Sequence, residues 1–396
     1  MIFIKQIELA KGIYYVGCKD WKLRDFHGFT TGRGVTYNAY LIVDEKICLV
    51  DLVKNTFADE LLARISSIVP PEKIDYIVVN HVENDHASAL PQVIGKAAGA
   101  KIVITAAGAK EAARLYGQYD YNIVKEGDKL ALGENSLHFV ALPMLHWPDS
   151  MAAYLPEKKI LFSNDAFGQH ICASDPFDSG SELSAIMEEA QNYYANILMP
   201  YSKLIGGALN KAQGLAIDMV APSHGVIWRS HIKEILDKYA FWGQGKVKDK
   251  VLVVYDSMWG ATERMAKAIW EGAAKTGVDA RLYKPGHAEN SRIVAELLDA
   301  AGALFGSPTL NYGMMPSVGA LLLYLKGLKP VGKLAASFGV YGWSGGAQKE
   351  MDELLQKAGM SLEPALTLNW APNAAELSDC ENFGFAFARK ACKKDS

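Results

Sequence analysis

The sequence predicts two α/β domains in tandem: a β-rich sandwich with helices outside it, followed by a doubly wound parallel sheet. In the first part, apolar runs alternate with amphipathic segments and strand-like runs then dominate, which is typical of a sheet sandwich flanked by helices. After residue 250, five strand-like runs each precede a helical one, which is typical of a parallel sheet with helices on both faces. The short polar segment 243–250 separates the two patterns, so we predict domains over residues 1–247 and 248–396.

The elements of the first domain follow from the spacing of its apolar residues. A Gly- and Thr-rich loop, residues 25–38, precedes two alternating runs, 39–43 and 47–51, which predict a hairpin. Elsewhere, apolar residues three or four apart predict helices, and continuous or alternating apolar runs predict strands. The other predicted strands are 74–80, 101–105 and several within 129–165, and the predicted helices are 57–69, 88–97, 108–117, 181–198 and 202–216.

The second domain alternates strands and helices regularly. A strand-like run followed by a longer amphipathic run favours parallel strands joined by helices. The predicted strands are 251–255, 280–283, 303–306, 334–340 and 366–368, and the predicted helices are 261–276, 291–300, 317–326, 347–358 and 374–390.

Composition excludes several classes of protein. Half of the 396 residues are hydrophobic and the net charge is −3, which is ordinary for a soluble globular chain that buries two cores. No apolar run reaches the roughly 18 residues of a membrane helix, and the N-terminus lacks the layout of a signal peptide. No basic block suggests a nucleic acid partner. We therefore expect a cytoplasmic protein that binds neither membrane nor nucleic acid.

A dense group of metal-binding side chains follows the predicted strand 74–80. Four of the next six residues can bind a metal: His81, Glu83, Asp85 and His86. Burying so many charged and polar groups without a counter-charge costs several kcal/mol, and a pair of divalent cations supplies that charge. The alternative is a polar loop that only caps the strand.

Three further candidates, His146, Asp165 and His224, each stand just after an apolar, strand-like run, where α/β folds collect functional side chains. The set then contains four of the nine histidines, which favours a metal site over a capping loop. The order of these residues resembles the metallo-β-lactamase signature H-x-H-x-D-H, which implies an αββα sandwich. Glu83 replaces the second histidine, and a carboxylate there favours iron over zinc and redox chemistry over hydrolysis.

Three loops at predicted strand ends of the second domain can form a flavin site. The first runs directly into a helix, where hydroxyls and free backbone N–H groups hold a phosphate, and it lacks the lysine of a nucleotide P-loop. Aromatic and small residues in the other two loops can enclose a planar ring. The candidate FMN-binding residues are Ser257, Met258, Trp259, Gly260, Ala261 and Thr262; Ser307, Pro308, Thr309, Leu310, Asn311, Tyr312 and Gly313; and Tyr341, Gly342, Trp343, Ser344, Gly345 and Gly346.

The first loop resembles the flavodoxin motif T/S-x-T-G-x-T, with Trp259 where flavodoxins usually have threonine. Together with the H-x-E-x-D-H motif, this flavodoxin-like domain resembles the flavodiiron proteins over essentially the whole chain. The resemblance implies a diiron site, with Asp165 as the bridge between the ions. It implies that His81, Glu83 and His146 bind one iron and that Asp85, His86 and His224 bind the other. His27 and His170 are candidate catalytic residues beside the ions, and Asp51 is a candidate for orienting a ligand imidazole.

The resemblance also implies an activity and partners. Reduced FMN and a diferrous pair each hold two electrons, so together they reduce O₂ to two waters, and the same site couples two NO to N₂O and water. The five cysteines include no C-x-x-C pair, so we expect no fused rubredoxin module and an external donor, a rubredoxin-like protein or reduced deazaflavin. A head-to-tail homodimer, or a homotetramer built from it, brings the FMN of one chain to the iron of another.

Three alternatives stay open on the sequence: an oxidase of reduced deazaflavin in the same family, a binuclear zinc hydrolase with a flavodoxin domain, and an FMN electron carrier with an inactive first domain. Glu83 argues against the hydrolase, and the complete ligand set argues against the carrier. The sequence does not separate preference for O₂ from preference for NO.

Overall fold

The structure, a computed structural model, describes residues 6–393. The chain forms two compact units, of which the first comprises the chain up to Tyr193 together with Lys203–Ala240. The second comprises Tyr194–Ser202 together with the chain from Phe241 onward. The boundary between residues 247 and 248 stays a prediction. Within residues 6–393, no helix has both the length and the apolar character needed to cross a bilayer.

Strands make up most of the first unit. They are β1 Ile7–Ala10, β2 Ile13–Tyr15, β3 Cys18–Asp20, β4 Asp25–Phe26, β5 Phe29–Thr30, β6 Val35–Tyr37, β7 Tyr40–Val43, β8 Ile47–Val50, β9 Ile74–Val78, β10 Lys101–Thr105, β11 Tyr121–Val124, β12 Lys129–Ala131, β13 Ser136–Ala141, β14 Met151–Leu155, β15 Ile160–Asn164 and β16 Met219–Pro222. Seven form a sheet in the order β1-β2-β7-β8-β9-β10-β11, and β12 to β16 form a second sheet in sequence order.

Alternation along the strands builds two cores in the first unit. Leu41 and Leu49 point to a core that includes residues of the surrounding helices, whereas Tyr40 and Ile42 point to a core that includes Phe162 of the second sheet. Successive side chains of a strand face opposite sides, so one sheet contributes to both cores. The helices are α1 Ala58–Ser66, α2 Asn84–Ala87, α3 Leu90–Lys96, α4 Ala106–Leu115, α5 Leu183–Tyr193, α6 Ser202–Gln213 and α7 Ile232–Gly243. The predicted sandwich with outer helices is confirmed.

The second unit is a parallel sheet with helices between its strands. The strands are β17 Lys248–Tyr255, β18 Asp279–Tyr283, β19 Ala300–Gly306, β20 Leu334–Tyr341, β21 Ser361–Leu362 and β22 Leu366–Asn369; the helices are α8 Ala261–Ala274, α9 Asn290–Leu298, α10 Pro316–Leu328, α11 Ala347–Ala358 and α12 Ala374–Ala391. The order β18-β17-β19-β20, with β22 beside β20, confirms the doubly wound prediction. Strand order reverses between β17 and β19, where such folds bind ligands.

One predicted helix, 181–198, is divided in the structure. The α-helical part ends at Tyr193, and Tyr194–Leu198 is π-helical. Within the second unit, Asn196 donates a hydrogen bond to the carbonyl of Ser291 at 3.2 Å and accepts one from the Tyr324 hydroxyl at 2.7 Å. These contacts fix the widened turn, and they are tertiary, so the apolar spacing of the sequence did not reveal them.

Candidate metal centre and flavin site

Strand ends bring the predicted metal-binding residues together in the first unit. His81 follows β9 of the seven-stranded sheet, whereas Asp165 and His224 follow β15 and β16 of the five-stranded sheet. The short helix α2 carries Asp85 and His86 on one turn. Both sheets therefore contribute side chains to one buried centre, as the positions of these residues after apolar runs predicted.

Within this centre the seven side chains form two groups that could each hold a metal ion. Each group's candidate ligand atoms lie within 4.8 Å of one another. The first group is His81, Glu83, His146 and Asp165, and the second is Asp85, His86 and His224. These groups match the division that the resemblance implies, with Asp165 counted in the first, and the binding of metal ions by them stays a prediction.

The Asp165 carboxylate lies between the two groups. Its Oδ2 atom is 3.5 Å from His146 Nε2 and 3.8 Å from His81 Nε2. Its Oδ1 atom is 3.5 Å from Nε2 of both His86 and His224. Each oxygen therefore faces one group, which is the arrangement that a carboxylate bridge between two cations requires.

Electrostatics keep the carboxylates of the centre ionised. Burial opposes this, but hydrogen bonds with His146 and His81 lower the pKa of Glu83 to about 2. Burial also opposes ionisation of Asp165, and the neighbouring imidazoles hold its pKa well below the ordinary value. In the same way, burial is outweighed by contacts with Asp165 and Glu83 that raise the pKa of His146 to about 10. The centre therefore favours positive charge among its carboxylates.

Unpartnered polar atoms show that this donor set fits metal ions. Counting every residue that the structure describes, Asp165 Oδ2, Asp85 Oδ1 and both ring nitrogens of His86 are buried without a hydrogen-bond partner. Buried polar groups are normally paired, because an unpaired one costs about 1–3 kcal/mol. Imidazole nitrogens and carboxylate oxygens aimed at shared points are ligands suited to iron.

Two of the candidate ligand imidazoles are fixed by hydrogen bonds at Nδ1, and the partner of His81 was not predicted from the sequence. Nδ1 of His81 lies 2.9 Å and 3.0 Å from the two carboxylate oxygens of Asp149. Nδ1 of His224 lies 2.7 Å from the backbone oxygen of Thr36. The suggestion that Asp51 orients an imidazole is wrong, because its carboxylate accepts instead from Asn80, Asn164 and Ser223.

Both predicted catalytic histidines lie beside the centre. His27 Nε2 is 3.3 Å from Glu83 Oε1, and the His27 side chain is half exposed. His170 is buried, its ring stacks on Phe29 at 5.2 Å, and it meets His224 edge-on at 5.3 Å. Burial and the neighbouring His224 hold the pKa of His170 well below the ordinary value, so its imidazole is neutral.

Tyr193 also contacts the centre and was not predicted from the sequence. Its hydroxyl donates a hydrogen bond to Asp165 Oδ1 at 3.0 Å. The side chain is buried at the end of α5. No local pattern marks this tyrosine, because its partner lies 28 residues earlier and on another element.

The second unit contains a cavity of about 400 Å³ at the ends of its parallel strands. All three predicted loops contribute to its wall. The predicted residues that line it are Ser257, Met258, Trp259, Ala261, Thr262, Pro308, Thr309, Asn311, Tyr312, Tyr341, Gly342, Trp343 and Ser344. The structure adds Arg264, Val340, Trp370 and Ala371 to this wall, and the Trp370 ring lies 6.1 Å from that of Trp343.

Six predicted residues of the three loops do not line this cavity. Gly260, with φ of 82°, takes the left-handed conformation before α8, and Leu310 and Gly313 pair through their backbones. A Cβ on Gly346 would lie 1.7 Å from the Tyr312 carbonyl, so only glycine fits where these two loops meet. Ser307 and Gly345 line a neighbouring cavity together with Gly346.

The loop before α8 is arranged as an anion cradle. Ser257 Oγ accepts a hydrogen bond from the Gly260 N–H at 3.0 Å, and this contact closes the loop. Thr262 is fully buried at the cavity wall, and its hydroxyl oxygen has no hydrogen-bond partner within residues 6–393. An unpaired hydroxyl at a helix N-terminus fits a phosphate group, and phosphate binding by this loop stays a prediction.

Family models match a part of the chain in each of the two units. Residues 35–225 match the family described as ODP family beta lactamase, and residues 253–384 match Flavodoxin. The chain is 45% identical to a nitric oxide reductase of Moorella thermoacetica, over 97% of this chain and 98% of the relative.

Two solved structures share the fold over nearly their whole length. The flavodiiron protein of Giardia intestinalis superposes with a TM-score of 0.96 at 37% identity, covering 100% of this chain and 99% of the other. The rubredoxin oxygen:oxidoreductase of Desulfovibrio gigas gives 0.95 at 37% identity, covering 98% and 99%.

The fold, the site and the relatives together define an oxidoreductase in which a β-lactamase-like domain, with two groups of candidate metal ligands, is joined to a flavodoxin domain. More particularly, the chain belongs to the flavodiiron protein family. The resemblance stated from the H-x-E-x-D-H motif is thereby confirmed.

Proposed function

We propose that this chain reduces O₂ to water, NO to N₂O, or both, at a diiron site that receives electrons from FMN. The observation that carries the proposal is the position of Asp165, whose two oxygens face two matched groups of imidazoles and carboxylates. Relatives named for NO reduction and for O₂ reduction support both substrates.

Seven side chains would hold the two irons. His81, Glu83 and His146 would hold one, Asp85, His86 and His224 would hold the other, and the Asp165 carboxylate would be shared by both. A diferrous pair and reduced FMN together supply four electrons, the number that conversion of O₂ to two waters needs. The Tyr193 hydroxyl holds a proton at Asp165 Oδ1, and the rings of Phe26, Phe29 and His170 cover the His224 side of the centre and exclude water from it.

We infer further that FMN occupies the cavity of the second unit. Thr262 and the backbone N–H groups before α8 would hold its phosphate. The aromatic side chains Tyr312, Trp343 and Trp370 would flank its ring system, and the cavity volume is within the ordinary range for a cofactor site.

We infer a head-to-tail homodimer, alone or paired in a tetramer, with electrons entering from a rubredoxin-like donor or reduced deazaflavin. Exposed aromatics at the flavin cavity support a partner there, because Trp259 is 93% exposed and Trp343 is 86% exposed. The zinc hydrolase alternative is not favoured, since Glu83 stands among the ligand atoms.

The test is side-by-side turnover with O₂ and with NO, using protein produced with both iron and zinc available and reduced by a rubredoxin. We expect about two irons and one FMN per chain and consumption of at least one gas without release of peroxide. Protein that takes up zinc alone, or that consumes neither gas when loaded with iron, would contradict the proposal.

A further inference from the structure

The two metal positions have matched ligands but different surroundings. Each position has two imidazoles, one carboxylate of its own and one oxygen of Asp165. Any difference in how firmly the positions hold an ion must therefore come from the groups that contact these ligands.

The contacts behind the imidazoles differ in charge. His81 at the first position is backed by the Asp149 carboxylate, whose oxygens lie 2.9 Å and 3.0 Å from its Nδ1. At the second position, His224 is backed by a neutral carbonyl, that of Thr36, and His86 Nδ1 has no hydrogen-bond partner in the part of the chain that the structure describes. A carboxylate acceptor makes an imidazole a stronger donor to a metal than a carbonyl does.

Asp149 is itself fixed in place. Its side chain is buried, and Oδ2 accepts a hydrogen bond from the Val82 N–H at 2.8 Å. The Thr105 hydroxyl donates to its backbone oxygen at 3.1 Å. Because Val82 adjoins His81, the same carboxylate sets both the backbone and the ring of this ligand.

The two oxygens of the Asp165 carboxylate also differ, in a way that favours the first position. Asp165 Oδ1, which faces the second position, accepts a hydrogen bond from Tyr193 at 3.0 Å. Oδ2, which faces the first position, accepts none from any described residue. A hydrogen bond draws negative charge from an oxygen, so Oδ1 is the weaker ligand.

We propose that Asp149, acting through His81, makes the two positions unequal, so that the ion held by His81, Glu83 and His146 is retained more firmly than the ion held by Asp85, His86 and His224. Asp149 is then a positioning residue. This inference rests on the proposed diiron function.

The test is the release of Fe²⁺ from the full-length, FMN-containing protein into an excess of a colorimetric chelator without oxygen. We expect two phases of one iron each. Asp149→Asn should accelerate the slow phase by about 10- to 100-fold and leave the fast phase unchanged. Mössbauer spectra of ⁵⁷Fe protein sampled between the phases should show one remaining type of iron in the wild type.

The matched control is Asp51→Asn, which makes the same change at a buried carboxylate that hydrogen-bonds to amides and a hydroxyl and interacts with His86 of the second position only through its charge. Asp51→Asn should leave the rate of the slow phase at the wild-type value. Asp149→Glu, which keeps a carboxylate, should have a slow phase close to that of the wild type. If Asp149→Asn fails to fold, Tyr193→Phe probes the same asymmetry from the other side and should slow the fast phase about fivefold.

Each other outcome is decisive. A single release phase for both irons in the wild type, or equal acceleration by Asp149→Asn and Asp51→Asn, overturns the inference and leaves the proposed function standing. A wild-type protein that binds fewer than two irons per chain overturns the proposed function itself.

Discussion

At the residue scale, the metal centre and the flavin cavity can be tested separately. His146 faces Glu83, and Asp165 faces both groups of candidate ligands. Alanine at either position therefore removes a candidate metal ligand. We expect gas reduction to fall below detection while FMN content stays at the wild-type level, because the lesion is confined to the first unit. Gas uptake and flavin absorbance measure the two effects.

His138→Ala is the control for these variants. His138 lies in the same unit on β13 and pairs with the Ser136 hydroxyl at 3.2 Å instead of with a candidate ligand. It should retain activity. Loss of flavin from the His146 variant would show that the two sites depend on each other.

The seven candidate ligands could be named from the sequence because each follows an apolar, strand-like run or lies on the turn after one. In the structure the run before His146 is a strand only as far as Ala141, and His146 lies in the loop beyond it. Asp149 and Tyr193 could not. Their roles depend on contacts 68 residues away, with His81, and 28 residues away, with Asp165. Acidic residues and tyrosines are common in loops and helices, so only the folded chain shows which of them meet a ligand.

At the element scale, the loop before α8 should contribute to the affinity for flavins that carry a phosphate and not to the affinity for those that lack one. Thr262→Val keeps the shape of the side chain and removes the hydroxyl. We expect FMN affinity to fall by about tenfold or more, while affinity for riboflavin, which lacks the phosphate, stays unchanged. Flavin fluorescence titration measures both, and Thr262→Ser should behave like the wild type. Equal losses for the two flavins would refute the assignment of this loop.

The start of β20 gives a prediction about pH. Lys333 is buried, and its ammonium donates to the carbonyls of Leu298 and Ala300. Burial lowers its pKa from 10.5 to about 8. Between these values the unfolded chain holds a proton that the folded chain has released, so the free energy of unfolding rises with pH across this window.

Lys333→Met should remove that rise. The wild type should gain up to about 3 kcal/mol relative to the variant between pH 7.5 and pH 10, as measured by urea unfolding followed by circular dichroism. Lys349→Met, at an exposed lysine on α11, serves as the control and should track the wild type. A wild-type advantage that shrinks as pH rises would contradict the prediction.

The elements themselves were largely predictable, because apolar period separates strands from helices in both units. The division of the predicted helix 181–198 was not, since it depends on the tertiary contacts of Asn196. Trp370, which lines the flavin cavity, was not predicted either. It is a single aromatic residue directly after β22, and no periodic pattern in the sequence marks it.

At the scale of the whole molecule, the proposed head-to-tail dimer predicts complementation. We mix a His146→Ala chain with a Thr262→Val chain whose weakly bound FMN has been removed by dialysis. The heterodimers then contain one interface that pairs an intact FMN with an intact candidate metal centre. We expect activity to return in isolated heterodimers. A fully active monomer, or confirmed heterodimers without activity, would contradict the proposed assembly.

The segment Tyr194–Ser202 lies inside the first unit along the chain but belongs to the second unit in space. It buries Leu198 and Met199, and its Asn196 holds Ser291 and Tyr324. A recombination event with a single crossover in the linker would therefore separate this segment from α9 and α10, the helices with which Asn196 forms hydrogen bonds. Exchange of flavin modules between relatives would need a second crossover near residue 194, so inheritance of the chain as one piece is favoured.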